Sequence, residues 1–188
     1  MIVSEEMRAR LAKIRLLAMD VDGVLTDGTL GYSERDEIKR FHVADGLGLT
    51  ALRLMGIEIA WVSGRESAAV ARRAAELKIA HALSGVGDKA EALRELMRRT
   101  GWNVEQIAYI GDDWNDLPAF AAAGVGIAVA NAAPEVRSRA ELITEQVGGQ
   151  GAVREVCDAL LHAMGKQETA LETYLAYLRN ETAKSSGQ

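Results

Sequence analysis

Two aspartates spaced D-x-D, Asp20 and Asp22, stand at the end of a short apolar run, 16–19, and are followed by Gly23. Neighbouring carboxylates repel, and each resists ionising while the other is charged. A divalent cation lifts that penalty, because hard cations take oxygen ligands. Asp112 and Asp113 follow a second apolar run, 107–110, and Asp116 comes three residues later. A hydroxyl beside a glycine, Ser63-Gly64, ends a third run, 57–62, and Lys89 opens a helical pattern after a fourth, 80–83. Carboxylates for a cation, together with a hydroxyl, backbone N–H groups and an ammonium for anionic oxygens, suit a phosphoryl group held against a divalent metal. For the D-x-D stretch alone, a solvated Asx turn after a strand is the bland alternative.

These groups need a common support. Short apolar runs closed by turn residues read as buried parallel strands. Helical patterns lie between them, at about 45–55, 66–77, 88–99, 116–123 and 152–164. Strands alternating with helices give βαβ units and an α/β, doubly wound, Rossmann-like sheet that is mostly parallel. Ligands in such sheets bind beyond the carboxyl ends of the strands. Asp20, Ser63, Lys89 and Asp112 all fall there, so the spacing alone gathers them at one edge. Two short runs, 29–32 and 38–43, read as a small β-hairpin flap. A last helix is expected over 167–179, with Leu171, Tyr174, Leu175 and Leu178 on one face, packing on its own domain or on another subunit. The end, 181–188, is expected to be disordered. We divide the chain into a single domain over 1–165 and a C-terminal helical extension and tail over 166–188.

Composition narrows the partners. The 188 residues carry a net charge of −5, with acids and bases mixed. No basic stripe invites nucleic acid. No apolar run approaches the ~18 residues of a membrane span. The charged N-terminus lacks the apolar core of a signal peptide, so a cytoplasmic setting is expected. The one cysteine, Cys157, sits in an apolar helical pattern and reads as buried filler.

D-x-D-G-V-L-T-D at 20–27, V-S-G-R at 62–65, D-K at 88–89 and G-D-D-x-x-D at 111–116 occur in this order. Together they resemble the four motifs of the haloacid dehalogenase superfamily of phosphatases, over about residues 14–165. Segments 41–48 and 148–155 are similar to those of its capless 3-deoxy-D-manno-octulosonate 8-phosphate phosphatases, which act in lipopolysaccharide precursor synthesis. The resemblance implies that Asp20 is the nucleophile and forms an aspartyl phosphate. It implies that Asp22 is the acid and base and that Mg²⁺ binds Asp20, the Asp22 carbonyl and Asp112. Ser63, Gly64 and Lys89 would hold phosphate oxygens. Asp113 and Asp116 would orient Lys89 or metal-bound water. His42, Val43, Ala44, Asp45, Gly46, Arg65 and Arg73 would touch the sugar. From the residues alone, His42 equally suits packing or capping, and Arg65 equally suits an ion pair. Neither the 22–63 nor the 89–112 interval can hold a cap domain, and capless relatives close the site with neighbouring subunits. A homotetramer built through the flap is therefore expected, with the tail after Gly148 reaching the mouth of a site.

Two positions depart from the relatives: Ala44 where a basic residue is usual, and Gln150 where arginine is usual. Both losses touch the substrate carboxylate, so phosphatases of sialic acid type 9-phosphates stand as an alternative. A non-catalytic tetramerisation domain is a second alternative, but a scaffold has no need of Asp20, Asp22, Lys89 and Asp112 together.

Overall fold

Strand β1 (Leu16–Met19) is four apolar side chains long and fully buried, and it occupies the middle of a six-stranded sheet. The computed structural model describes residues 3–34 and 37–185. The sheet is completed by β4 (Glu58–Val62), β5 (His81–Leu83), β6 (Ile107–Gly111), β7 (Val125–Ala128) and β8 (Leu142–Ile143). Their order is β5-β4-β1-β6-β7-β8, and every pairing is parallel. Val, Ile, Leu and Ala fill these strands because both faces of a parallel sheet are covered by helices. β1 pairs with β4 on one side and β6 on the other, so the chain order reverses across it. That switch point opens a crevice at the carboxyl ends of these strands.

The helices are α1 (Glu5–Leu11), α2 (Val43–Leu54), α3 (Ala68–Glu76), α4 (Lys89–Thr100), α5 (Leu117–Ala122), α6 (Pro134–Arg137), α7 (Ala152–Ala163) and α8 (Gln167–Ser185). α2 packs against α7 and α8, and α4 packs against α5. Cys157 is fully buried on α7. Among the described residues, no helix is long and apolar enough to cross a membrane.

Two boundaries differ from the expectations. The hairpin strands, β2 (Gly31–Tyr32) and β3 (Glu37–Ile38), are shorter than 29–32 and 38–43, and Val43 already starts α2. An acid in the first turn of a helix favours that start, and Asp45 supplies it. The last helix continues past 179 to Ser185, so 181–185 are helical, while 186–188 lie outside the described residues. Glu181, Ala183 and Lys184 are helix formers that carry no apolar signal. Along this helix Ala170 joins the core, whereas Leu171, Leu175 and Leu178 are exposed. Lys78 and Arg53 lie over the Tyr177 ring and fasten the helix's second half.

Asp45 is almost wholly buried and ties α2 to α7. Its carboxylate accepts from the backbone N–H of Gly151 and from that of Arg154, at 2.7 Å for the latter. Gly151 precedes α7 and has no side chain of its own for the task, so Asp45 caps that helix from another element. Asp45→Ala should therefore lower stability by about 1–2 kcal/mol in urea unfolding, the cost of a lost cap. An unchanged midpoint would show that water replaces the carboxylate.

Candidate active site

The turn after β1 is built to hold two carboxylates in one place. Gly23 has φ +88° and approaches Asp112 so closely that a Cβ there would overlap the Asp112 carboxylate. Gly148 lies against the Gly23 carbonyl in the same way, and the Gly149 N–H donates to the Val24 carbonyl at 2.9 Å. A loop 125 residues later in the chain thus covers the backbone of the D-x-D turn. Thr26 is buried within the turn, and its hydroxyl accepts from the Gly23 and Gly28 N–H groups.

Asp20 is buried, with Oδ1 accepting from Val21 N–H at 2.6 Å and Oδ2 paired with Lys89 Nζ at 2.7 Å. Lys89 opens α4, where Asp88 caps by accepting from Glu91 N–H. The Lys89 ammonium also donates to Asp116 Oδ1 at 2.7 Å. Asp116 has no exposed surface, and its oxygens are fully used. Oδ1 takes Lys89 and the Tyr109 hydroxyl, while Oδ2 takes the Asp112 and Asp113 N–H groups. Asp112 Oδ1, by contrast, is buried with no hydrogen-bond partner among the described residues.

The electrostatics follow from that inventory. Burial, then the Asp116 charge, pushes the Asp20 carboxyl up to about 6 against the pull of Lys89. Burial, then Asp116 and Asp20, pushes Asp112 up to about 8. Burial opposes the charge on Lys89, but Asp116 and Asp20 outweigh it and hold its pKa above the ordinary value. The Tyr109 hydroxyl is driven well up by burial and by Asp116, so it stays a donor.

Asp20, Asp112 and Asp116 offer oxygens within 4.8 Å of one another. One ammonium cannot balance three ionised carboxylates in a buried site, and the raised values of Asp112 and Asp20 express that deficit. A hard divalent cation fits this cluster, and the orphaned Asp112 oxygen is where it is missing a partner. Asp116 is already satisfied, so Asp20 and Asp112 are the carboxylates free to hold the ion.

A cavity of about 430 Å³ opens over this cluster, lined by Asp20, Asp22, Gly64, Arg65, Asp112 and Trp114 among others. Asp113 also lines it. Ser63 is buried beneath, and its hydroxyl is engaged with the backbone of Arg65 at 3.1 Å. The Arg65 guanidinium pairs with Glu37 at 3.3 Å and reaches the Tyr32 hydroxyl at 3.5 Å, so it leans on the hairpin.

The remaining sugar-contact candidates lie elsewhere in this chain. His42 and Ala44 line a different cavity, of about 500 Å³, together with Gln150 and Arg154. Both departures from the relatives therefore fall in one place. Val43 is exposed, Asp45 caps α7, and Arg73 lies over Gly46 while pairing with Glu76. Two site residues escape sequence reasoning. Tyr109 reads as strand core, though its hydroxyl serves Asp116. Lys39 lies in a charged hairpin, yet its side chain is fully buried and ion-pairs with Asp22; nothing local marks it as turned inward.

Known proteins share this arrangement. Residues 83–156 match the haloacid dehalogenase-like hydrolase model. The 3-deoxy-D-manno-octulosonate 8-phosphate phosphatase of Haemophilus influenzae is 44% identical over 183 residues, 97% of this chain and all of that protein. The crystal structure of the Moraxella catarrhalis phosphatase of the same name, in complex with a magnesium ion, a phosphate ion and a KDO molecule, superposes with a TM-score of 0.88. It is 44% identical and aligns with 92% of this chain and 99% of its own. The Yersinia pestis phosphatase gives 0.86 at 42% identity, over 88% and 90% of the two chains. With such similarity along nearly its whole length, the chain belongs to the haloacid dehalogenase-like hydrolases, in their 3-deoxy-D-manno-octulosonate 8-phosphate phosphatase branch.

Proposed function

We propose that this protein is a Mg²⁺-dependent phosphatase that releases phosphate from 3-deoxy-D-manno-octulosonate 8-phosphate, in the cytoplasm, in lipopolysaccharide precursor synthesis. The observation that carries the reading is the juxtaposition of Asp20, Asp22 and Asp112 around one cavity, with Lys89 bonded to Asp20 behind them. The curated relatives that match bear this activity in their name.

The chain's own residues act in two steps. The Asp20 carboxylate attacks phosphorus, and the bond to the sugar oxygen breaks as Asp22 gives that oxygen a proton. Water then attacks the aspartyl phosphate and passes a proton to Asp22, and the bond from phosphorus to Asp20 breaks. Lys89 stays fixed between Asp116 and Asp20, where its charge faces the phosphoryl oxygens, and Gly64 N–H and the Ser63 hydroxyl donate beside it. Ser63 must exchange the bond its hydroxyl donates to the Arg65 carbonyl for one to the phosphate. Asp20, Asp112 and the Asp22 carbonyl hold Mg²⁺, which spreads the phosphate's charge when bound. Asp113 and Asp116 brace the loop behind Asp112 and Lys89.

We further propose a homotetramer assembled through the hairpin. Tyr32 and Ile38 are 69% and 54% exposed on a two-stranded element too small to stand alone, and Leu30 and Val43 extend the same exposed apolar set. The cavity beside Asp20 has no covering domain of its own, and a neighbour's surface would exclude water from it.

Phosphate release should be strongest from octulosonate 8-phosphate in a panel with a sialic acid 9-phosphate and hexose phosphates. Preference for another member would relocate the substrate and keep the chemistry. Asp20→Asn should fall below about a hundredth of the wild-type rate, since a lost nucleophile costs at least that much. A higher residual rate would assign the attack to another group.

Magnesium binding should also depend on pH. Asp112, held near 8, and Asp20, near 6, are largely protonated in acid and must ionise to accept the ion. Because both values are raised, these groups favour the metal-free fold at low pH, and that contribution is lost as pH rises through 6 and then 8. Calorimetry should therefore show tighter Mg²⁺ binding at pH 8 than at pH 6, with protons released near neutrality. Equal affinity at both would exclude Asp112 as a ligand.

Light scattering should give a tetramer for the wild type and a smaller species for Ile38→Asp. A fully active wild-type monomer would overturn the assembly.

A further inference from the structure

Lys39 carries its ammonium from the hairpin to the D-x-D turn, where it meets Asp22, a residue that lines the catalytic cavity. It follows β3, its side chain is fully buried, and its ammonium ion-pairs with Asp22 Oδ1. Glu37 Oε1 lies 3.6 Å from the same ammonium. Glu37 in turn takes Arg65 at 3.3 Å and a hydrogen bond from Ser67. A continuous chain of charged contacts thus runs from the D-x-D turn through the hairpin to the loop after β4.

The physical demand for this chain lies in the acid cluster. Asp22 shares its cavity with Asp20 and Asp112, and like charges drive a flexible carboxylate away toward water. Lys89 is occupied by Asp20 and Asp116 and cannot restrain Asp22. Lys39 supplies the opposing pull from the flap. Burying an ammonium is costly unless it is paired, so the two groups hold each other firmly.

We propose that Lys39 is a positioning residue that fixes the Asp22 carboxylate over the reacting centre and so makes the hairpin part of the catalytic apparatus. This rests on the phosphatase reading above, though not on which sugar phosphate is cleaved. A lysine that served only to fasten the hairpin would act independently of the carboxyl at position 22; a positioning lysine acts through it.

The test is a double-mutant cycle on p-nitrophenyl phosphate hydrolysis with Mg²⁺, using Lys39→Met, Asp22→Asn and the double variant, with circular dichroism to check folding. Lys39→Met should lower kcat roughly tenfold to a hundredfold with KM within about threefold, the mark of a group that matters in the transition state. In the Asp22→Asn background the same change should cost less than about twofold, because its target is gone. Lys39→Arg, which keeps the charge, should recover part of the loss and keeps the question open to decision if Lys39→Met does not fold. Equal losses in both backgrounds, a loss confined to KM, or full activity in Lys39→Met would overturn the inference and leave the phosphatase reading intact. A wild type inert toward every phosphomonoester would overturn both.

Discussion

The buried bond between Lys89 and two carboxylates is the constraint on which the rest depends. A lysine with almost no exposed surface needs partners, and Asp20 and Asp116 provide them from the turns after β1 and after β6. Those strands are adjacent, so the ammonium also clamps the switch point of the sheet. Yet one positive charge cannot balance three negative ones. Burial first, and then that surplus, pushes Asp112 up to about 8, and the surplus makes a divalent ion a structural complement as much as a reagent. Folding and chemistry thus meet in one electrostatic deficit, which the metal-free protein carries in its core.

Around that deficit the acids divide their labour by hydrogen bonding. Asp116 spends every lone pair on donors, from Tyr109, Lys89 and two backbone N–H groups, and is thereby immobilised. Asp112 is left with an oxygen that has no partner among the described residues. Residues of one type, four positions apart, consequently differ in what they can bind. Asp45, another buried acid, gives its Oδ1 to the start of a helix, while its Oδ2 has no partner among the described residues.

Much of this was legible in the residues. The strand ends announced themselves, because a buried parallel strand is an unbroken apolar run and the polar residues behind it can only sit at its carboxyl edge. Asp20, Ser63, Lys89 and Asp112 are therefore readable by position. Asp45 was not, since an acid in the first turn of a helix looks the same whether it caps its own helix or another. Lys39 was hidden by its neighbours: a short hairpin rich in charge gives no period from which to read which side chain turns inward. The end of α8 beyond 179 escapes sequence reasoning because helix propensity leaves no apolar stripe to read.

The loop at Gly148 and Gly149 sets the order in which the protein can become itself. It presses on the backbone of residues 23–27, so the first turn of the sheet is completed by a segment from the last third of the chain. β6, which flanks β1, also arrives late. During synthesis the N-terminal residues emerge first and must wait for partners that do not yet exist. The D-x-D turn is therefore translated early and assembled late, and the emerging polypeptide carries Asp20 and Asp22 without their structural partners until β6 and the loop at Gly148 have been made.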